Sequence, residues 1–333
     1  MAENREPPQF PCIDMHSHAG VLFIDEENDG ALLGTMAEGG VAAIVLSTIA
    51  DYIVSKWGGE GKPGMPGAML YNDREPEPGE CYADTKAQID GIDHWIEAHG
   101  LVRILEPGDI GERPGVILSI EGACHLEGRP ERLAEFYDRG LRSMQLVHYR
   151  INEFCDIQTS PPRHGGLTDI GVELVREMNR FGILVDVTHA SFDATRDIAR
   201  ASSVPIVMSH VCLQHETAHP RFVSTDHARL VAQTGGVVGV QGAAFFGHGM
   251  AGHMDNIKRM VDAIGIDHVA IGTDMGTATW PPSAAPIYPD FKPFAEIPGH
   301  LRGAGFTDDE IAGITSGNFI RVFGAAALVG ANR

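Results

Sequence analysis

The sequence predicts an α/β fold, a (β/α)8 TIM barrel, on three observations. Eight short β-branched or apolar runs recur along the 333 residues, the segments between them mostly carry helical periodicity, and no Gly-rich phosphate loop follows the first run. Alternating strands and helices imply parallel strands joined by crossover helices. Eight such units point to a closed barrel, and the absence of a phosphate loop argues against an open dinucleotide-binding sheet. Length alone would suggest two domains, but barrels of this class often exceed about 250 residues as one unit, so a single domain over residues 1–333 is expected.

The strand candidates, in order, are residues 10–18, 41–48, 116–121, 141–148, 183–189, 205–210, 236–242 and 268–274. After the second strand, residues 57–80 are rich in Gly, Pro and charge without periodicity, and read as a long loop insertion. A helix is expected to follow from Asp84, a plausible cap, through Ile89, Ile92 and Trp95 to His99. Thr168 caps a helix whose stripe is Ile170, Leu174, Met178 and Phe181. Ser191 caps one ending near Arg200, and Ser224 or Thr225 one ending near Gln233. Residues 288–299 form a second Pro-containing excursion, and residues 308–311 and 318–328 supply the last helical turns.

Composition narrows function by exclusion. Asp and Glu number 45 against 25 Lys and Arg, a formal net charge of −20. Such a chain repels phosphate backbones and anionic lipid, so neither nucleic acid nor a membrane surface is an expected partner. Five scattered cysteines, with no C-x-x-C pair, favour a reducing compartment. No run approaches 18 consecutive apolar residues and no leader pattern opens the chain. The expected location is the cytoplasm.

The chemistry lies in what ends the strands. Six of the eight carry a metal-capable or acid–base side chain at the C-terminal end: His16 and His18, Glu121, His148, His189, His210 and Asp274. A closed barrel opens all these ends onto one face. Residues two apart on a strand share a side, so His16 and His18 can face one metal. His189 and His210 are one βα repeat apart. Buried imidazole and carboxylate cost several kcal/mol unless paired, so coincidence at six strand ends points to a metal site. The other eleven histidines read as structural, His125 and His253 less firmly than the rest.

The runs at 119–122, 140–156, 166–171, 184–191, 205–210, 219–223, 267–274 and 317–323, in this order, resemble the membrane dipeptidase (renal dipeptidase) family of the amidohydrolase superfamily. The resemblance implies a barrel of the metal-dependent hydrolase type with two divalent ions, zinc being the expected metal. In that scheme Glu121 bridges the ions, His16, His18 and Asp274 complete one site, and His189 and His210 complete the other. It also implies that His148 contacts the substrate carbonyl or its oxyanion and that Arg221 binds the substrate's C-terminal carboxylate. The chain departs from the family at three positions: His18 replaces the usual Asp, Phe222 a common Asn, and Gly276 an acidic residue.

The expected reaction is hydrolysis of the amide bond of small dipeptides, including those with a D-residue at the C-terminal position. Water activated by two divalent ions would attack, and Asp274 would carry its proton to the leaving amine. The alternatives are another amidohydrolase reaction on the same metals, on an N-acyl amino acid, a lactam or an ester, and a non-catalytic binding barrel. The dipeptide is the expected small-molecule partner, with a homodimer as a further expectation.

Overall fold

The structure, a computed structural model, describes residues 9–18, 31–58, 69–72, 74–111, 113–214, 220–242, 249–276 and 287–331. Eight parallel strands form its centre: β1 Cys12–Ser17, β2 Val41–Ile49, β3 Gly115–Glu121, β4 Leu141–Gln145, β5 Leu184–Asp186, β6 Val207–Val211, β7 Val237–Val240 and β8 Val269–Ile271. They pair in chain order, and Val102–Arg103 adds a short parallel segment against β3. Closure comes just past the last strand. Asp274 donates its backbone N–H to the His16 carbonyl at 3.0 Å, and His18 donates to the Met275 carbonyl at 2.7 Å.

The barrel interior is apolar below and polar above. Ile13, Met15, Ala43, Val45, Ile117, Leu184, Val207, Val237 and Ala270 form one cluster with Phe319, Val322, Phe323 and Ala326. Those last four lie on the C-terminal helix Asn318–Gly330, which therefore plugs the floor. Asp308–Gly330 is long and apolar enough to cross a membrane by length and composition, yet half of its most apolar window is buried inside the molecule. On β7 and just past β8, a Cβ on Gly239 or Gly272 would collide with the Ser209 carbonyl, so only glycine lets the strands approach there.

Helices α1 Glu80–Ala98, α2 Leu133–Asp138, α3 Asp169–Phe181, α4 Phe192–Ala201, α5 Thr225–Gln233 and α6 Gly249–Ile264 occupy the connections. The predicted caps hold: Thr168, Ser191 and Ser224 each accept from a backbone N–H three residues on. The structure corrects three expectations. Helix α1 begins at Glu80, not Asp84, because the Glu80 carboxylate takes the Glu77 N–H at 2.9 Å and the Arg74 guanidinium, locking the turn before it. The stretch at 57–80 is not all loop, since Ser55–Gly58 and Met69–Asn72 pair as an antiparallel hairpin. The excursion at 288–299 contains a 3-10 turn, Lys292–Glu296, running into helix Ile297–Gly303.

Three structural histidines make stability depend on pH. Burial pushes His125 down to about 3 and His227 and His253 down to about 4. In an unfolded chain each titrates near 6.5. Between those values the unfolded state binds more protons, so stability is lost as pH falls from about 6.5 towards 4. Asp14, raised to about 7 by burial, opposes this, as do the raised His16, His148 and Asp274, while the lowered His189 and His210 add to it. The urea midpoint should therefore fall from pH 7 to pH 5. In His227→Gln, which can still bond Thr195, the fall should be smaller, and an unchanged slope in that variant would contradict the assignment.

Candidate metal centre

The site lies at the C-terminal mouth of the barrel, where β1, β3, β4, β5, β6 and β8 deliver their side chains. Strand ends place only some of them directly. His16 and Glu121 lie within strands and His210 is the penultimate residue of β6, but His148, His189 and Asp274 each fall three residues beyond the strand assigned to them. His189 and Asp274 adopt left-handed backbone, with φ of 69° and 57°. Among the described residues, Glu127 is the only other non-glycine with positive φ. Such conformations cost on the order of 1–3 kcal/mol and persist where surroundings impose them. Here the strain turns the chain inward and brings each side chain to the centre.

That centre is Glu121, 1% exposed at the end of β3. Among the described residues neither carboxylate oxygen receives a well-aligned hydrogen bond; imidazole nitrogens face them instead. His18 Nε2 lies 3.0 Å and His16 Nε2 3.7 Å from Oε2. His189 Nε2 lies 2.8 Å and His210 Nε2 3.6 Å from Oε1. Within each pair the Nε2 atoms approach to 3.0 Å (His16 and His18) and 3.3 Å (His189 and His210). Asp274 Oδ1 joins the first pair, 3.5 Å from His18 Nε2 and 4.0 Å from His16 Nε2.

These separations suit metal ions. Nitrogen ligands about 2.0–2.1 Å from a tetrahedral zinc stand roughly 3.3 Å from one another. Two nitrogens and one Glu121 oxygen at such spacings occur twice, once on each side of the carboxylate. The residues present thus fit two divalent ions bridged by Glu121. His16, His18 and Asp274 would hold one, and His189 and His210 the other.

Protonation divides this donor set: burial would lower His16, but Glu121 and Asp274 raise it. Burial alone would raise Glu121, but the imidazoles of His148, His16 and His189 hold it well below the usual carboxylate range. Burial holds His189 and His210 well below the ordinary histidine value, aided by Arg221 at His189 and by His16 and Arg221 at His210. Both are neutral at pH 7, as a metal ligand must be. Burial raises Asp274. His18 is fixed from behind: its Nδ1–H donates to the Ser47 carbonyl at 2.9 Å, which leaves the Nε2 lone pair facing the site. His210 Nδ1 sits 3.0 Å from Ser209 Oγ, whereas His189 Nδ1 has no hydrogen-bond partner.

His148 and Arg221 flank the cluster. His148 Nδ1 meets the Asp51 carboxylate at 2.7 Å, and its Nε2 stands 3.6 Å from Glu121 Oε2. Its ligand atom and those of Glu121 and His189 all lie within 4.8 Å of one another, as do those of His16, His18 and Glu121, and those of His16, His210 and Asp274. Burial would lower His148, but Glu121 and Asp51 outweigh burial and raise it. Arg221 is buried, donating to Gln158 Oε1 at 2.6 Å and to the His210 carbonyl at 3.4 Å. Asp51, Gln158 and Gln241 escaped the sequence reading. No local pattern marks them, because each works through a partner distant in sequence. Of the histidines read as structural, His215, His219 and His248 lie outside the described residues. His253 is a buried tie between Tyr288 Oη (2.7 Å) and the Val240 carbonyl (3.0 Å).

A parallel barrel whose mouth converges on a carboxylate between two histidine pairs defines a metal-dependent hydrolase type. The chain belongs to the membrane dipeptidase family, peptidase family M19, whose profile matches residues 104–333; His16 and His18 precede the matched stretch. It is similar to dipeptidase aclJ of Aspergillus oryzae, 29% identical over 268 residues, covering 74% of this chain and 63% of that protein. Dipeptidase verJ of Clonostachys rogersoniana is 28% identical over 259 residues, covering 73% and 65%. The chain thus spans under two thirds of the length of these curated relatives. In fold it matches the probable dipeptidase PvdM from Pseudomonas aeruginosa, with a TM-score of 0.78, 19% identity and 96% of each chain covered. A metallopeptidase from Rhodobacter sphaeroides, liganded with a phosphinate mimic of L-Ala-D-Ala, matches with a TM-score of 0.78, 20% identity, and 95% and 99% covered.

Metal binding should register as stability. A ligand at 100 times its Kd adds about 2.7 kcal/mol. Adding Zn²⁺ to chelated protein should raise the unfolding midpoint, His18→Asn should lose part of that rise, and Glu121→Gln should lose most of it. Equal rises in all three proteins would contradict a shared bridging carboxylate.

Proposed function

We propose that the chain is a zinc-dependent dipeptidase that hydrolyses the amide bond of small dipeptides, those with a D-residue at the C-terminal position included. The observation that carries this is the double histidine pair around Glu121 beside a buried guanidinium. Divalent ions, when bound, lower the pKa of a water towards about 7 and polarise a carbonyl.

The chain's own residues do the remainder. Arg221 offers a planar fork for the substrate's carboxylate, and its bond to the His210 carbonyl ties that fork to a candidate ligand. Asp274 presents Oδ1 to the first histidine pair, and its second oxygen takes a proton and returns it to the leaving amine. His148 faces the cluster through Nε2, and with Nδ1 committed to Asp51 it can donate to a developing oxyanion when cationic. The dipeptidase relatives and the dipeptide-mimic complex of the structural neighbour support the same substrate class. Five buried, unpaired cysteines support a cytoplasmic setting.

An N-acyl amino acid presents the same carboxylate to Arg221 and is the second reading; a lactam or ester without one is not served by that residue. Arg221→Met keeps much of the side-chain bulk and deletes the fork. On a dipeptide it should lower kcat/KM by roughly 10²-fold or more, the equivalent of about 3 kcal/mol of charged hydrogen bonding. On the matching C-terminal amide the change should be small. Equal losses on acid and amide would make Arg221 structural and remove the carboxylate from the recognition scheme.

A further inference from the structure

Two barrel strands, β2 and β7, supply none of the candidate metal ligands, yet both reach the cluster. The Ser47 carbonyl on β2 holds His18, and Asp51 just beyond it holds His148. From β7 comes Gln241, the first residue after the strand, whose Nε2 donates to Asp274 Oδ2 at 2.7 Å. We propose that Gln241 is a positioning residue that divides the two oxygens of Asp274 between tasks, leaving Oδ1 to a metal ion and Oδ2 to proton transfer. This rests on the hydrolytic reading of the site given above.

The backbone fixes where Asp274 begins but not how its carboxylate turns. Its N–H is held by the His16 carbonyl and its φ by the left-handed turn. The last carboxylate torsion is broad and close to two-fold, so either oxygen can face the histidines, or both can chelate one ion. A chelating carboxylate would have no oxygen in reserve for a proton. Gln241 restricts that freedom by engaging Oδ2, and Oδ1 is the oxygen presented to His18 and His16.

The glutamine is itself well held. It is buried, its backbone N–H donates to the Val211 carbonyl at 2.9 Å, and its own carbonyl accepts from Cys212 Sγ. Because a carboxylate only accepts, the amide atom facing it is nitrogen. The amide oxygen is buried and, among the described residues, has no hydrogen-bond partner. The side chain is therefore oriented by the bond to Asp274 and not by a competing demand of its own oxygen. Adjacency does the rest: β7 and β8 pair through Val240 and Ile271, which sets Gln241 beside the turn carrying Asp274.

The test uses the full chain loaded with Co²⁺, whose visible absorption reports coordination. Gln241→Met removes the donor at similar length. Gln241→Glu keeps the shape, replaces the donor with an acceptor, and guards against a folding failure of the first variant. Expected in a folded variant are an altered cobalt band, a loss of about tenfold or more in affinity for one of two cobalt ions in chelator competition, and a kcat lower by about tenfold or more with KM nearly unchanged. An unchanged cobalt band, affinity and kcat in either folded variant would overturn the proposal. A wild-type chain that binds two cobalt ions but cleaves no dipeptide would contradict the hydrolytic reading alone, and the band and affinity would still decide the role of Gln241. A wild-type chain that takes up no cobalt overturns both.

Discussion

A carboxylate buried at the mouth of the barrel, with imidazole pairs on either side and, among the described residues, no well-aligned hydrogen bond to either oxygen, is the constraint on which the site depends. Burying a carboxylate is costly, and the raised imidazoles of His16 and His148 offset only part of that cost, since His189 and His210 are held neutral. Cations between the carboxylate and each pair would offset the rest. Under the proposed function, Glu121 would be the shared ligand of two metal positions. The inward turns at His189 and Asp274, the strain they carry, and the backs of His18 and His148 held by β2 all serve that one centre.

The rest of the barrel makes the arrangement affordable by separating stability from chemistry. Its lower interior is sealed by Phe319, Val322 and Phe323 from the C-terminal helix. Above that floor, Asp14, Gln145, Asp186, Thr188 and Ser209 form buried hydrogen bonds beneath the histidines. Asp186 takes the Thr188 hydroxyl at 2.7 Å and the Ser209 N–H at 3.1 Å, and Asp14 takes the Thr273 N–H at 2.8 Å. These bonds tie the strands together beneath the ligand-bearing ends, although among the described residues the Gln145 amide oxygen has no hydrogen-bond partner. Closure through Asp274 and His18 joins the first and last strands at the site itself, so the barrel closes where its candidate metal ligands lie.

Much of this was legible in the sequence, for a definite reason. In a closed barrel the ends of all strands meet, so residues as remote as His16 and Asp274 become neighbours by topology alone. Helix caps such as Thr168 and Ser191 were legible because their bonds are local. What escaped was of three kinds. Strand ends were read too far at His148, His189 and Asp274, since apolar patterning does not reveal a left-handed turn in a non-glycine residue. The orienting groups Asp51, Gln158 and Gln241 were invisible because a hydrogen bond to a residue 33 to 97 positions away leaves no periodicity behind. The hairpin within 55–72 was hidden by Gly- and Pro-rich sequence, and the start of α1 by a glycine at its cap.

The most direct test of the account is anomalous diffraction at the zinc edge from crystals of the metal-loaded chain. The account predicts two ions about 3.5–4 Å apart, each about 2.0–2.2 Å from a different oxygen of Glu121. A single fully occupied ion, or two ions of which only one touches Glu121, would contradict it.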